Sequence, residues 1–443
     1  MRPHDSITEL IGNTPLLRLD PAVHGIARLR FYAKLESHNP FGSVKDRAAL
    51  AMLRDELPGL RAEGRTLLEA SSGNTAKAMR VLGSLDGVGL RAVTNRIKVG
   101  EVRDMLRLLG TEIVELPGLS ECPDPTAPDD VSSVIAATMT REPGAWHHAS
   151  QYTNERNVEA HYRGTGSEIR SALAAVGIER VDYLVGGLGT TGSTRGTATA
   201  LREHNPRLRT VGVVSTRDDF IPGIRSETEM WDVGLFQPDF YHRIVTVGAE
   251  HAVDATLLLA RRYGVLAGPT SGAAYAAALD VLRPAAAALG PDDPDLVAVV
   301  IVCDRLEPYL SYLRARRPEL FDDPARPAPP HPAELAAVPQ LGPEALDELD
   351  RTRRATVVDT RGAMAYRVAH IPGSINVRDD VLLDTPPDQL PFCRTRPLVF
   401  VCPVGRVSRH FAALTRRSGF EAYSLAGGLA AWREEGLPLQ RAR

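Results

Sequence analysis

The sequence predicts an α/β protein built from more than one unit. Three observations carry that expectation: a length of 443 residues, a recurring order of strand, small-residue loop and helix, and one proline-rich interruption. A chain of this length exceeds one ordinary core. The recurring order favours mainly parallel sheets covered by helices. The interruption, residues 318–343 (PELFDDPARPAPPHPAELAAVPQLGP), has prolines that oppose regular hydrogen bonding and favour extended geometry, so it reads as a linker. Residues 1–317 and 344–443 then form the two folded parts, both α/β. No internal repeat points to a solenoid.

Composition narrows the class. The hydrophobic fraction is 43%, the charged fraction 24% and the formal net charge −3, with both signs interspersed. That balance lacks the electrostatic footprint of a nucleic-acid or membrane-surface binder. No apolar run is long enough to span a bilayer, and the N-terminus lacks the apolar core of a signal peptide. The four cysteines, Cys122, Cys303, Cys393 and Cys402, form no CxxC pair and no metal-ligand spacing. No metal site is expected, and the adjacent His147 and His148 read as structural. A cytoplasmic protein with reduced thiols is the simplest expectation.

In the larger part the strand–loop–helix design occurs at three places. ARLRFYAKLE is followed by SHNPFGS and a helix beginning near Val44. TLLEA is followed by SSGNT and AKAMRVLGSL. VDYLVGG is followed by LGTTGS and TRGTATALREH. Free N–H groups and the dipole at each helix start attract anions, so three such loops suit a ligand with several negative groups.

Each loop has a chemical and a plain reading. Lys45, in NPFGSVKDR, sits where a helix dipole and desolvation would lower an amine's pKa and make it a nucleophile toward aldehydes. A surface lysine paired with Asp46 or Glu36 is the alternative. Ser71, Ser72, Gly73, Asn74 and Thr75 offer hydroxyls, an amide and N–H groups to a carboxylate, or simply cap a helix. Gly187, Gly189 and Gly192 fit GxGxxG, which raises a dinucleotide-binding dehydrogenase. The acidic residue expected about 20 positions on is missing. The hydroxyls of Thr190, Thr191, Ser193 and Thr194 suit a terminal phosphate better than a bridging one.

In order and spacing, these motifs resemble the fold-type-II pyridoxal-phosphate (PLP) enzymes: cysteine synthases, cystathionine β-synthases and relatives. The resemblance runs from ITELIGNTPLLRL through NPFGSVKDRAAL, SSGNT, QYTNERNVEAHYRGTGSEI, GGLGTTGSTRG and IPGI to GVLAGPTSGAA. It implies two α/β subdomains and a homodimer. It also implies that Lys45 holds PLP as an aldimine and then serves as acid and base. Asn74 would bond the ring hydroxyl, and Gly187, Gly189, Thr190, Thr191, Gly192 and Ser193 would cradle the phosphate. Ser71, Ser72, Gly73, Thr75 and Gln151 would receive the substrate carboxylate. The implied reaction is β-replacement on an activated serine, O-acetylserine or O-phosphoserine, through an aminoacrylate.

Two departures stand out. Where the family carries a serine beside the pyridine nitrogen, this chain reads VCDRLEPYL, which puts Arg305 at the serine position with Asp304 beside it. The phosphate loop reads TTGS where cysteine synthases commonly read TGGT. Both resemble the diaminopropionate-synthase branch, which keeps amine addition as an alternative to sulfur addition.

Residues 344–443 resemble a rhodanese domain through VVDTR, AHIPGSINV, LVFVCPVGRVS and LAGGLAAW. Cys402 ends an apolar strand before a helix, where the dipole and loop N–H groups favour a thiolate or persulfide. Gly405, Arg406 and Ser408 complete its loop. A buried inert cysteine is the plain reading, opposed by the strand end and the Gly/Arg loop, and a cysteine phosphatase would need arginine where Ser408 stands. The usual loop resembles CxxGxRS, whereas here arginine comes one place early, so a regulatory or partner-binding rhodanese fold is the alternative to a sulfurtransferase. The fusion suggests that a Cys402 persulfide, charged by thiosulfate or another sulfur donor, feeds the PLP site.

Overall fold

The computed structural model describes residues 3–441 except 96, 117–130, 218, 231–232, 322–329, 352–353, 386–389 and 391. Cys122 lies outside the described residues. The chain divides into two compact units, with the boundary beside Tyr312 and Leu313.

The first unit holds two sheets. Its strands are β1 (Leu16–Arg18), β2 (Leu29–Leu35), β3 (Thr66–Ala70), β4 (Leu90–Thr94), β5 (Glu112–Glu115) and β6 (Trp146–His147). They continue with β7 (Tyr183–Gly187), β8 (Arg209–Ser215), β9 (Arg243–Val247) and β10 (Leu296–Val302). The six-stranded sheet runs β1-β2-β10-β7-β8-β9, parallel except for the edge strand β1. The four-stranded sheet runs β5-β4-β3-β6 and is wholly parallel.

The apolar run of β10 explains its central place. Ala298, Val300 and Val302 enter the core on one face, while Val297, Val299 and Ile301 enter the core on the other. A parallel strand covered on both faces needs such an uninterrupted run. Three helices matter for the site: α1 (Lys45–Leu53), α2 (Asn74–Leu85) and α3 (Gly192–Arg202). They start at the ends of the three small-residue loops.

The second unit is a five-stranded parallel sheet, ordered β11-β15-β14-β12-β13. Its strands are β11 (Gln340–Leu341), β12 (Thr356–Asp359), β13 (Ile375–Asn376), β14 (Leu398–Val401) and β15 (Ala422–Leu425). In β14, Leu398 and Phe400 face one core and Val399 and Val401 the other. Helices α4 (Arg406–Arg417) and α5 (Gly428–Glu434) follow β14 and β15. No helix among the described residues is long and apolar enough to cross a membrane.

The linker reading of residues 318–343 needs correction. Pro332 opens a helix capped by His331, whose Glu334 pairs with Arg417, and Gln340–Leu341 pairs with β15. Proline is compatible with the first turn of a helix, so its frequency overstated the unstructured length.

Candidate active site

The first loop is anchored to the last strand of its sheet. Val44 donates its N–H to the Cys303 carbonyl at 2.7 Å, and Ser43 bridges Asp304. This places Lys45, the first residue of α1, beside Cys303 and Asp304. Neither alternative partner for the lysine is available. Asp46 accepts from the Phe41 N–H and the Ser43 hydroxyl, while Glu36 accepts from Arg47, Thr14 and Asn39. Burial lowers the Lys45 amine from its ordinary range, opposed by Cys303 and Asp304. Such an amine is a nucleophile nearer neutral pH than an exposed lysine.

Two residues further on, the same helix is locked by ion pairs. Arg47 donates to Glu36 at 2.7 Å and to Glu168 at 2.6 Å, and Lys34 donates to Glu168 at 2.6 Å. Burial works against the Glu168 charge, but the bonds from Arg47 and Lys34 hold it at about 2. Sequence reasoning missed this buried network, because its members are distant in the chain.

The second loop meets the segment around Gln151. Glu69, buried at the end of β3, accepts from the Ser150 N–H at 2.9 Å. Thr75 donates to Gln151 Oε1 at 2.7 Å, and Gln151 Nε2 donates to the Ala70 carbonyl at 2.7 Å. Ser71 accepts from the Ala76 N–H at 3.0 Å, which is partly the capping role. Ser72 is exposed and Gly73 precedes the helix.

Asn74 donates to Asp304 at 2.7 Å, and Tyr309 also donates to that carboxylate oxygen, at 2.5 Å. The other oxygen, Asp304 Oδ1, is buried without a partner among the described residues. Burial raises Asp304, against the bonds from Tyr309 and Asn74, and pushes the neighbouring Cys303 thiol up to about 12. Arg305 does not join this group. It is exposed and donates to the Ser37 carbonyl at 3.0 Å. Side chains alternate along extended backbone, so Asp304 and its neighbour face opposite ways. Lys77, three residues after Asn74 on α2, was also missed. Burial lowers its amine, with Asp46 and Asp304 opposing.

The third loop is the most constrained. Thr191 adopts φ +67°, and its hydroxyl, close to that of Tyr241, is buried without a well-formed hydrogen bond among the described residues. A Cβ on Gly189 would lie 3.0 Å from the Gly223 carbonyl, and one on Gly192 only 2.2 Å from Asn157 Oδ1. Asn157 donates to the Gln151 carbonyl at 2.9 Å and to Thr190 Oγ1 at 3.0 Å, tying this loop to the Gln151 segment. Gly187 ends β7, while Gly192 and Ser193 open α3 with N–H groups not bonded within the helix. A left-handed loop, a hydroxyl without a well-formed bond and a helix start fit a phosphate, and the desolvated amine of Lys45 fits an aldehyde.

In the second unit Cys402 follows β14 and is 1% exposed. Gly405 donates its N–H to Cys402 Sγ at 3.1 Å, and Ser408 Oγ lies 3.2 Å from that sulfur. Leu429 and Ala430, near the start of α5, donate to the carbonyls of Cys402 and Pro403. Arg406 opens α4 and is half-buried.

Comparison with known proteins places these features in a family. The family described as pyridoxal-phosphate dependent enzyme matches residues 7–304, and the rhodanese-like domain matches residues 342–435. Cysteine synthase B of Pseudomonas aeruginosa is 32% identical over 312 residues, 70% of this chain and 96% of that protein. Cysteine synthase B of Escherichia coli is 31% identical over 310 residues, 69% of this chain and 94% of that protein. A hydrogen sulfide-producing enzyme from Fusobacterium nucleatum aligns with TM-score 0.59 at 27% identity, covering 70% of this chain and 100% of its own. The chain belongs to the pyridoxal-phosphate dependent enzymes, alongside the cysteine synthases, with a rhodanese-like domain behind that part. Its cofactor is pyridoxal phosphate, and the dehydrogenase reading of residues 187–192 falls.

Proposed function

We propose that the protein performs β-replacement on an O-activated serine and receives its sulfur through Cys402. The observation that carries the first half is the desolvated Lys45 amine, held between Cys303, Asp304 and the start of α1. When bound, pyridoxal phosphate supplies an electron sink that eases loss of a substituent from the substrate's β-carbon. Lys45 would hold the cofactor and then move the proton at the substrate's α-carbon. The loop 189–193 would grip the phosphate. Thr75, Gln151 and the N–H groups of residues 71–75 would hold the substrate carboxylate. Asn74 and Asp304 would meet the polar edge of the ring, Asp304 Oδ1 being an acceptor left unpaired among the described residues.

The second half is supported by the rhodanese-like match and by the position of Cys402 at a strand end before a helix. Thiosulfate would transfer its outer sulfur to the Cys402 sulfur, with sulfite leaving. Two thiol equivalents would then discharge that sulfur as hydrosulfide, becoming a disulfide. The hydrosulfide adds at the β-carbon to give cysteine. A homodimer is part of this proposal.

The test begins with the visible absorbance of the purified protein, titrated separately with O-acetylserine and O-phosphoserine, with Lys45→Ala alongside. A band in the wild type that shifts with one of the two is expected, and its leaving group is thereby identified. Lys45→Ala should lose the band and about 10³-fold or more of turnover. A wild type that stays colourless with added cofactor would refute the first half. For the second, labelled thiosulfate should give labelled cysteine in the wild type and not in Cys402→Ser. Equal labelling of both would sink it.

A further inference from the structure

Behind Cys402 lies a buried chain of hydroxyls. Ser408 Oγ is 3.2 Å from Cys402 Sγ and 2.8 Å from Ser424 Oγ, and Ser424 donates to the Gly405 carbonyl at 3.3 Å. Ser408 and Ser424 are both 0% exposed. Ser408 comes from α4 and Ser424 from β15, so the contact depends on the fold and not on the loop alone. Gly405 closes the ring by donating its N–H to the same sulfur at 3.1 Å.

We propose that Ser408 and Ser424 are positioning residues that set the charge state of the Cys402 sulfur through a reversible hydroxyl relay. The proposal rests on the reading of Cys402 as the sulfur-carrying residue and adds how this loop manages with its arginine out of place.

The hydrogen count permits two arrangements without moving a heavy atom. In the thiol form, S–H donates to Ser408, Ser408 donates to Ser424, and Ser424 donates to the Gly405 carbonyl. When a base in solution takes the sulfur's proton, the Ser408 hydrogen turns to the anionic sulfur. Ser424 keeps the carbonyl or turns to Ser408. The sulfur anion then has two donors, the Ser408 hydroxyl and the Gly405 N–H. Among the described residues, the titratable and charged groups on adjoining elements are Arg406, Arg409, His410, Arg416 and Arg417 on α4, Tyr423 on β15, Arg433 and Glu434 on α5, and the pair Asp359 and Arg361 at the end of β12, which bond each other at 2.7 Å.

The two serines therefore act with opposite sign. Without the Ser408 hydroxyl, the anion loses a donor, and bonds to charged groups are the stronger kind. Without the Ser424 hydroxyl, the Ser408 hydrogen has only the sulfur to bond. The thiol form must then leave one buried hydrogen unpaired, and the anion is favoured.

The experiment uses the full-length protein. Iodoacetamide alkylation of the Cys402 peptide is followed by mass spectrometry at one fixed pH. Ser408→Ala should react about tenfold more slowly than the wild type, and Ser424→Ala several-fold faster. General loosening would speed both, so equal or same-sign changes overturn the relay. Should either variant fail to fold, the S–H stretch of the native protein decides, taken as a Raman difference against Cys402→Ser. A band at hydrogen-bonded-donor frequency is expected, and one at free-thiol frequency overturns the proposal. Failure of the wild-type Cys402 peptide to gain a sulfur atom from thiosulfate refutes the sulfur-carrier reading instead, while the alkylation signs still judge the relay.

Discussion

Two neighbouring residues, Lys45 and Asp46, show how burial works on opposite charges. Burial lowers the lysine and raises the aspartate to about 7, against bonds from Phe41 and Ser43. The folded-state value of Asp46 lies above its ordinary 3.8, so the native state binds this proton more tightly than the unfolded chain does. Its contribution to stability is therefore lost as pH rises from about 4 to about 7, by on the order of 4 kcal/mol. Glu168 acts oppositely. Held at about 2, it adds stability above its ordinary 4.5 that disappears as pH falls toward 2. Asp46→Asn should remove the first slope, so that urea unfolding at stepped pH finds the variant gaining on the wild type between pH 4 and 7. A parallel pair of curves would contradict it. Lys77→Met should extend the slope to higher pH, since Lys77 favours the charged form of Asp46. Lys45 could be singled out because its loop and helix are local, while its pairing with Asp46 or Glu36 stayed open until their own partners were seen. Which of Asp304 and Arg305 turns inward was not, because two adjacent residues on extended backbone differ only in phase, and their bridging partners, Ser43 and Ala267, are remote in sequence.

At the scale of elements, the three strand–loop–helix units were readable because each is a local change of period from strand to helix. Their convergence was not, since it depends on residues such as Asn157 and Glu69 that reach across the chain. The linker was over-read for the reason given by Pro332: proline starts helices as well as preventing them. The phosphate loop yields a sharp test. Helix α3 packs against the stretch Arg156–Gly166 so closely that a Cβ on Gly196 would lie 2.1 Å from the Val158 carbonyl. Gly192→Ala must displace Asn157, which holds Thr190 in place. Cofactor affinity should fall by about tenfold or more, measured by fluorescence titration of cofactor-free protein. Ser193→Ala removes a hydroxyl without crowding and should cost less. Should the two be equal, steric displacement of Asn157 is not what sets the loop.

Across the whole molecule, each unit has cores of its own, and one of the two rhodanese-like cores holds Trp432. That side chain is 0% exposed, packs with Val399, Val401 and Leu425, and donates its indole N–H to the Pro438 carbonyl at 3.0 Å. Trp432→Ala leaves a large cavity and an unpaired carbonyl, costing about 3–5 kcal/mol, enough to unfold a small domain of ordinary stability. Among the described residues, none of its packing partners belongs to the clusters around β10 or α2. The variant should therefore keep the cofactor's visible band and the β-replacement supported by added sulfide. It should lose labelled cysteine formation from thiosulfate and gain a low-temperature transition in calorimetry. If the cofactor band and the sulfide reaction collapse together with the rhodanese-like core, the two units are one cooperative body. The sulfur-delivery role of Cys402 would then need a test that leaves its domain folded.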